Sequence, residues 1–503
     1  PGLFRAIATN SNVAVNSTYL YGSVTTNSLT FSGATALNAI GDEAILNIGS
    51  GGVLVLDASG TDFTGGLIQS GGNQLIVHQL DTGNTLDFNA QVLGSNGFIK
   101  TGTGAMSLDK QQFFTNSSQT TINNGLLTLN SGVDNTLTVI ATNATPTLQS
   151  VRVNGGGTLD LFGRNQAIGT LDSTSTLPGT GGIVTNSSGT AALLTSAAGG
   201  NIGFAGTLTG NLAFTRSGNN TTTLYSDNTY TGATIIRGGT LNLQDQGRLS
   251  ASSSVTNYFG GLTLTDTGLY TSANLAGQRV VNGITLQGGT LTYAGAQSAA
   301  TVGTVTLQGG ASSGGFNTIN ATNASPVGNA QLTITDLVRS TAGSTVNFTG
   351  ANLGLSTTTS IATSSIFLTA VNGGSPTTLV AGNNNLIGGW AITGGTEFAS
   401  YVAATGVGAL NQTGYAGYTG TTLPGATAPT NNIRLTASGA VPVVAGYTLN
   451  SLNLVAGSNL TFTSDLTTNG LTLASGGLLH SGASASIGTT TAVSPMAMSS
   501  SRS

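Results

Sequence analysis

The chain has 503 residues and a formal net charge of −4, and only 6% of its residues are charged. Ordinary soluble domains carry about 25% charged residues, so Thr, Ser, Asn and Gly must cover this surface instead. The only lysines, Lys100 and Lys110, form no basic patch that could neutralise phosphates, which argues against a nucleic-acid partner. The absence of cysteine excludes disulfides, thiolate metal sites and cysteine nucleophiles.

Hydrophobic residues make up 38% of the chain, more than disordered chains contain. They alternate with polar residues at a period of two, and the short runs are bounded by Gly, Asn or Asp, which predicts strands with one buried face. Helical periodicity is nearly absent, and no run of 18 apolar residues occurs, so the sequence predicts no membrane insertion. Examples of the alternating pairs are Leu127/Leu129, Leu241/Leu243 and Leu471/Leu473.

Residues 1–22 are predicted to form a strand-like N-terminal arm. Its apolar positions include Phe4, Ile7, Val13 and Val15. An unpaired edge strand recruits other chains unless a cap or charge blocks it, and the sequence shows no cap here. We expect these four residues to form an assembly strand that extends the sheet of a neighbouring copy. Because the chain opens with Pro1 and lacks a signal-peptide pattern, we expect a mature or trimmed chain.

Residues 23–380 are predicted to form a β-solenoid. The phrase Gly-Gly-Thr-Leu recurs at 156–159, 238–241 and 288–291, and similar phrases place Leu286 and Leu307 one repeat apart. A repeat of roughly twenty residues is typical of one solenoid coil, in which inward side chains stack and glycines form the corners. A β-sandwich or a propeller is the alternative architecture.

Two repeat units within this region, near 97–130 and 212–244, share a longer pattern. The second unit has an apolar pair followed by Arg216, then an Asn-Thr-Tyr-Thr-Gly turn, then Gly-Thr-Leu-Asn-Leu. The first unit has Lys100 in place of the arginine and lacks the turn. The pattern resembles the autotransporter-associated β-strand repeat of bacterial surface proteins. This resemblance implies a right-handed parallel β-helix, an elongated rod exported to the bacterial cell surface as a passenger or stalk.

Residues 381–430 are predicted to form an irregular segment rich in Gly and aromatic residues. Trp390, Phe398 and Tyr401 form a dense aromatic group, and Trp390 is the only tryptophan. Such a group is a possible interaction site, either a platform that stacks on sugars or an anchor between subunits. Burial of the rings beneath an irregular loop is the alternative.

Residues 431–487 are predicted to form solenoid coils that repeat the 5–59 region, and 488–503 form a Ser/Thr-rich tail. The phrase Ser-Gly-Gly followed by two aliphatic residues occurs at 50–54 and again at 475–479. Both copies are preceded by an Asn-Ser-Leu phrase, at 27–29 and 450–452. Ends that are built alike are expected in a slice of a tandem array or in a subunit whose ends meet.

The titratable residues show no arrangement typical of an active site. The acids are scattered, and a groove that brought Asp57, Asp81 and Asp109 together on stacked coils is a minor alternative. His78 and His480 lack the sequence partners of a catalytic triad or a zinc site. We therefore expect no catalytic residue, no cofactor and no metal site.

These patterns predict an extracellular structural protein of a bacterial cell surface. We expect a stalk or fibre subunit that assembles head to tail with copies of itself into a filament. An adhesin that binds glycans or other cell-surface material is the alternative, and a polysaccharide-active β-helix enzyme is a third. A structural role needs no enzymatic activity.

Overall fold

The structure described is a computed structural model. The chain is nearly all β and contains long parallel sheets. The all-β class and the parallel pairing expected of a solenoid are therefore confirmed at this level. The structure describes residues 12–15, 22–32, 44–59, 62–93, 96–114, 119–139, 148–197, 199–268, 279–309, 315–356, 361–455, 457–462, 470–482 and 484–489.

The described residues contain one helix, α1 (Pro376–Gly382), with a proline in its first turn. Proline is favoured there because its missing N–H would have no partner inside the helix. Among the described residues, no helix combines the length and hydropathy that a membrane crossing needs.

The first compact unit contains Pro1–Thr256, Gly260–Leu262 and Arg279–Asn282. Its largest sheet has 15 strands, and β3 pairs with β2, β4 and β5. The strands of this sheet are β1 (Asn12–Val15), β2 (Val24–Phe31), β3 (Ile45–Val55), β4 (Asp62–Gln69), β5 (Leu75–Gln79), β6 (Leu86–Val92), β7 (Gly97–Thr101), β8 (Met106–Leu108), β10 (Gln119–Ile122), β11 (Gly125–Leu129), β13 (Ser150–Val153), β14 (Gly157–Asp160), β16 (Leu171–Asp172), β17 (Ile183–Thr185) and β20 (Thr207–Leu208).

Shorter ladders complete the first unit. They pair β9 (Gln112–Phe114) with β12 (Leu137–Val139), and β23 (Asp227–Asn228) with β26 (Arg248–Leu249). One further ladder runs through β15 (Gln166–Ile168), β18 (Ala192–Ser196), β21 (Leu212–Arg216) and β24 (Thr234–Ile236), and another through β19 (Ile202–Phe204), β22 (Thr221–Leu224) and β25 (Thr240–Gln244). The division between the units falls within β27 (Val255–Tyr258) and β28 (Gly261–Asp266).

The second compact unit contains Asn257–Phe259, Thr263–Gln278 and Gly283–Ser503. In most of its ladders, each strand pairs in parallel with the strand two elements further along the chain. These strands are β29 (Ile284–Gln287), β30 (Thr290–Gly295), β31 (Ala299–Leu307), β32 (Phe316–Asn323), β33 (Gly328–Arg339), β34 (Thr345–Gly350), β35 (Ala362–Val371), β36 (Ala391–Thr393), β37 (Glu397–Val402), β38 (Gly406–Ala409), β39 (Ala428–Leu435), β40 (Gly439–Val441), β41 (Tyr447–Val455), β42 (Leu460–Phe462), β43 (Leu471–Ser481) and β44 (Ile487–Thr489).

Parallel pairing stacks equivalent side chains in columns inside each unit. In the first unit the rings of Phe31, Phe63 and Phe88 lie one above another, with centroids 5.2 and 4.9 Å apart. All three side chains are fully buried. Each column is therefore a continuous strip of core that no single coil could form alone.

The turn of the 212–244 unit is held by buried polar side chains. Asn228 accepts a hydrogen bond from the Leu208 N–H at 3.0 Å and donates to the carbonyls of Ser226 and Arg248. Tyr230 is fully buried, and its hydroxyl contacts Thr234 at 2.5 Å. Both residues of the Asn-x-Tyr turn therefore occupy the interior, where Asn228 satisfies backbone groups and the Tyr230 hydroxyl pairs with the Thr234 side chain.

Pairing becomes antiparallel in the segment predicted to be irregular. The strand β37 pairs antiparallel with β36 on one side and with β38 on the other. After this segment, β39, β41 and β43 return to parallel pairing. The segment thus separates the long ladders of the second unit from its last three-stranded sheet.

The sheets β2–β3 and β41–β43 share one irregularity of register. In each pair, one residue of the earlier strand lies opposite three residues of the later strand. The flanking partners are Thr26↔Ile48 and Ser28↔Gly52 in the first case, and Leu449↔Leu473 and Ser451↔Gly477 in the second. We call β1–β3 the first module and β39, β41 and β43 the second module.

Candidate functional site

A buried lysine lies in one inward column of the first unit. Lys100 is paired with Val77 on one side and with Ile122 on the other, and it is fully buried. Its Nζ donates to the carbonyls of Gly102 at 2.8 Å and Asn124 at 3.0 Å. Desolvation lowers the pKa of Lys100 to about 8. The ammonium thus joins the carbonyls of a corner, inside a column of apolar side chains.

Arg216 has the same role in the second repeat unit. It is fully buried, and its guanidinium donates to the carbonyl of Asn220. Desolvation lowers its pKa as well. A glycine faces each cation: a Cβ on Gly239 (φ 59°) would lie 2.5 Å from Arg216 Nη2, and one on Gly125 (φ 73°) 2.7 Å from Lys100 Nζ. The basic residue and the later glycine of the repeat pattern therefore form one structural contact.

The acids considered for catalysis lie in separate hydrogen-bonded groups. Asp81 accepts from the N–H of Ala58, next to Asp57. Asp109 instead accepts from Ser107 and from Asn130. Backbone and side-chain hydrogen bonds lower the pKa of the Asp81 carboxyl, led by Asn84. These contacts are those of turns and ladders.

Metal ligands are also dispersed in the described part of the chain. No group of three or more His, Cys, Asp or Glu side chains there is placed to hold a metal ion. His78 lies on the exposed side of β5, and His480 lies on the exposed side of β43.

The aromatic group of the 381–430 segment is divided between core and surface. Phe398 and Tyr401 are buried, and the Tyr401 hydroxyl donates to the carbonyl of Leu368 at 3.0 Å. Burial raises the pKa of Tyr401. Trp390 is half-buried, and the Arg339 guanidinium lies over its ring, 5.5 Å from the centroid. Of the three residues, Trp390 presents its ring most openly.

The N-terminal assembly strand is described only in part. Phe4 and Ile7 lie outside the described residues. The backbone of Val13 and Val15 belongs to β1, which pairs parallel with β2 at Leu29 and Phe31. Within the described residues, β1 pairs with β2 alone, so its other edge is the place where an added strand would pair.

The register shift of the first module is held by four polar side chains. Asn12 Oδ1 accepts hydrogen bonds from Asn27 Nδ2 at 2.9 Å and from Ser28 Oγ at 2.7 Å. Ser50 Oγ donates to the carbonyl of Asn27 at 2.5 Å. Gly51, with a φ of 72°, makes the turn that follows the serine. Ser50 thus satisfies the Asn27 carbonyl where ladder pairing is interrupted, and the Asn12 contacts join the side chains of β1 and β2 beside it.

The second module repeats this arrangement atom for atom. Asn432 Oδ1 accepts from Asn450 Nδ2 at 2.7 Å and from Ser451 Oγ at 2.8 Å. Ser475 Oγ donates to the carbonyl of Asn450 at 2.7 Å, and Gly476 has a φ of 70°. The Asn-Ser and Ser-Gly-Gly phrases noticed in the sequence are thus the residues that form the shift in both modules.

The outer face of the second module is covered by residues 383–418, which we call the covering segment. It contains β36, β37 and β38. Asn432 Nδ2 donates to the carbonyl of Asn384 at 2.6 Å, and Asn453 Nδ2 donates to that of Thr396 at 2.9 Å. Asn450 and Asn453 retain only 3% and 0% of their exposure.

Glu397 is the polar centre of this contact. Its carboxylate accepts from Arg434 Nη2 at 2.9 Å, from Tyr418 at 2.9 Å, and from Asn411 and Asn453 at 3.1 Å each. Burial raises the pKa of Tyr418. A buried carboxylate with this many donors fixes the covering segment on the second module.

An apolar cluster lies beside this polar centre. Leu386, Phe398 and Leu410 pack together, and Leu479 of β43 packs against them. Gly477 lies directly under the Phe398 ring, since an added Cβ would be 2.9 Å from Phe398 Cε1. The absence of a side chain at 477 therefore allows the ring to approach the strand.

The chain matches no known protein-family model, no curated protein and no solved structure. The fold defines a class, an all-β protein of parallel ladders. The resemblance to the autotransporter-associated repeat stays a resemblance.

Sequence reasoning missed the covering contact centred on Glu397 and Arg434. Their separation in the sequence hides the ion pair, because only the antiparallel strands of the covering segment bring them together. One signal was present: the dense aromatic group includes Phe398, whose ring packs on Gly477.

Proposed function

We propose that this chain is a structural β-solenoid protein of a bacterial cell surface, a stalk or fibre subunit that joins other copies end to end. We assign it the right-handed β-helix, the elongated shape and the extracellular location that its repeat resemblance implies. Because stacked strands are about 4.8 Å apart along the axis, each copy would lengthen such a fibre by the height of its stacked coils. No enzymatic activity is needed for this role.

One observation carries the proposal: two modules with the same register shift and the same polar contacts each have a strand with one unpaired edge among the described residues. Within the described residues, β1 pairs only with β2, and β43 pairs only with β41. Strand edges that lack a partner add further strands readily. Matching modules with free edges suit a subunit that continues into the next one.

The test is imaging and sedimentation of the purified chain over a wide concentration range. We expect rods that lengthen as the concentration rises, with monomers prevailing only at high dilution. Particles that stay monomeric at every concentration would contradict end-to-end assembly.

An adhesin is the second candidate, because the Trp390 ring is half-exposed and held by Arg339. Aromatic rings in such positions stack on sugar faces. Trp390→Ala should abolish binding to a glycan panel if the ring is a platform. Phe316→Ala, which removes an aromatic ring that is 56% exposed elsewhere in the same unit, is the matched control. Equal glycan binding by wild type and Trp390→Ala would reject the adhesin.

A further inference from the structure

The covering segment contacts one face of the second module, and the first module has the equivalent face. Equivalent positions follow from the shared register shift: Ser28 corresponds to Ser451, Gly52 to Gly477 and Leu54 to Leu479. Asn12 and Asn432 correspond through their identical hydrogen bonds. Each residue under the covering segment therefore has an identified counterpart in the first module.

In the first module these counterparts are uncovered. Asn27, Ser28 and Thr30 are partly exposed, whereas Asn450, Ser451 and Asn453 are buried. The hydrogen bonds of Asn12 lie at the surface, whereas those of Asn432 are buried. The same set of polar side chains is therefore partly exposed to solvent in the first module and buried in the second.

Gly52 is the most informative counterpart. Gly477 accommodates Phe398 and Gly389, since an added Cβ would lie 2.9 Å from Phe398 Cε1 and 3.1 Å from Gly389 Cα. An added Cβ at Gly52 would meet only Ser50 Oγ at 3.4 Å and Ser28 Cβ at 3.9 Å. Among the described residues, none requires a glycine at position 52, so the space above Gly52 fits an aromatic ring from another copy.

An apolar surface adjoins Gly52. Leu54 is partly exposed, and Leu56 and Leu80 are 48% and 46% exposed on neighbouring rungs. Leu479, the counterpart of Leu54, packs on the cluster that contains Phe398. Leu56 corresponds to Ser481, which is buried in the second module. The first module, together with Leu56 and Leu80 beside it, thus presents more apolar surface to a covering segment than the second module does.

We propose that the first module of one copy docks on the covering segment of a second copy, in the place held by that copy's own second module. In the unassembled chain, the second module would occupy the site that the first module of another copy occupies after assembly. This inference rests on the proposed end-to-end assembly and assigns its interface to the face of the first module rather than to a strand edge.

The polar contacts indicate which partner holds the segment more tightly. Arg434 and Asn453, which both contact Glu397, correspond to Ala14 and Thr30. The internal contact therefore has an ion pair that the intermolecular contact lacks. Exchange between copies is favoured when the Arg434–Glu397 pair is removed.

The central experiment compares Gly52→Leu with wild type by sedimentation velocity. The leucine extends from an open strand position, so folding of the free chain is unaffected, but it fills the space for Phe398. We expect the concentration at half-assembly to rise roughly 10- to 100-fold. Gly200→Leu, at a glycine of the same unit with nothing within 4 Å, is the matched control and should assemble as wild type does.

Arg434→Ala weakens the contact between the covering segment and the second module of the same copy, which competes with docking. It should lower the concentration at half-assembly about tenfold, because a hydrogen-bonded ion pair that competes with docking is lost. Gly52→Leu combined with Arg434→Ala should cancel this gain. An Arg434→Ala chain that assembles no better than wild type would contradict the exchange.

Cysteine pairing locates the contact, since the chain has no natural cysteine. Thr396 contacts Asn453, whose counterpart is Thr30. Mixing Thr30→Cys chains with Thr396→Cys chains under oxidation should give covalent dimers. Mixing Thr30→Cys with Ser375→Cys, at an exposed position outside the covering segment, should not.

The outcomes separate this inference from the proposed function. If wild type and Gly52→Leu assemble equally and no Thr30–Thr396 crosslink forms, docking on the covering segment is wrong and assembly uses another surface. If no variant associates at any concentration, including Arg434→Ala, both the inference and end-to-end assembly are wrong.

Discussion

Lys100 provides a direct test of how a buried cation contributes to stability. Its ordinary pKa is 10.5, and burial lowers the pKa in the folded chain to about 8. Between these values the unfolded chain binds more protons than the folded chain, so stability rises with pH across this window and is constant below it. Lys100→Met removes the titration while keeping an unbranched apolar stem.

The size of the effect follows from the gap between the two pKa values. Each pKa unit is worth 1.36 kcal/mol, which sets an upper bound of roughly 3 kcal/mol. The hydrogen bonds that the ammonium donates to the carbonyls of Gly102 and Asn124 stabilise its charged form and reduce the benefit of deprotonation. We therefore expect the stability of wild type relative to Lys100→Met to rise by about 1–3 kcal/mol between pH 7.5 and pH 10.

The assay is guanidinium unfolding of both chains at closely spaced pH values, followed by circular dichroism. The difference between the two curves isolates Lys100, because other groups titrate in both chains. One of these is buried Tyr230, whose raised pKa makes stability fall above about pH 10. Curves that run parallel from pH 7 to pH 10 would refute the reasoning, since they would show that the Lys100 pKa is not lowered in the fold.

Three further outcomes follow from the packing. Phe88→Ala should cost about 3–5 kcal/mol of unfolding free energy, whereas exposed Phe316→Ala should change it by less than about 0.5 kcal/mol, both measured by denaturant unfolding. Gly239→Ala should lower the melting temperature because its Cβ would meet Arg216, and Gly200→Ala should not. Glu397→Ala should speed hydrogen exchange of β41 amides at least tenfold, and unchanged exchange would show that its donors do not hold the covering segment.

Local patterns in the sequence were sufficient for the class of fold. Alternation at period two, as at Leu241 and Leu243, reports which face of a strand is buried, and both residues are fully buried in β25. Glycines between the runs indicated corners. These properties depend on neighbouring residues only, which is why a single sequence contains them.

The sequence also contained the repeated phrases of the two modules but not their role. Asn27 and Ser50 are distant along the chain, and the hydrogen bond between them exists only once β2 and β3 pair with a shifted register. The same holds for Asn450 and Ser475. Repeated residues in a sequence can show that two segments are alike. The hydrogen bonds that those residues form are known only once the pairing of the strands is known.

Composition and periodicity by themselves determined an all-β chain with few charges, short strands and glycine corners, because each follows from side-chain chemistry and spacing along the chain. Tertiary structure alone decided which cations are buried, which aromatic rings are covered, and that one module is covered while its counterpart is open. Those outcomes depend on contacts between residues such as Phe398 and Gly477, which only the folded backbone brings within reach.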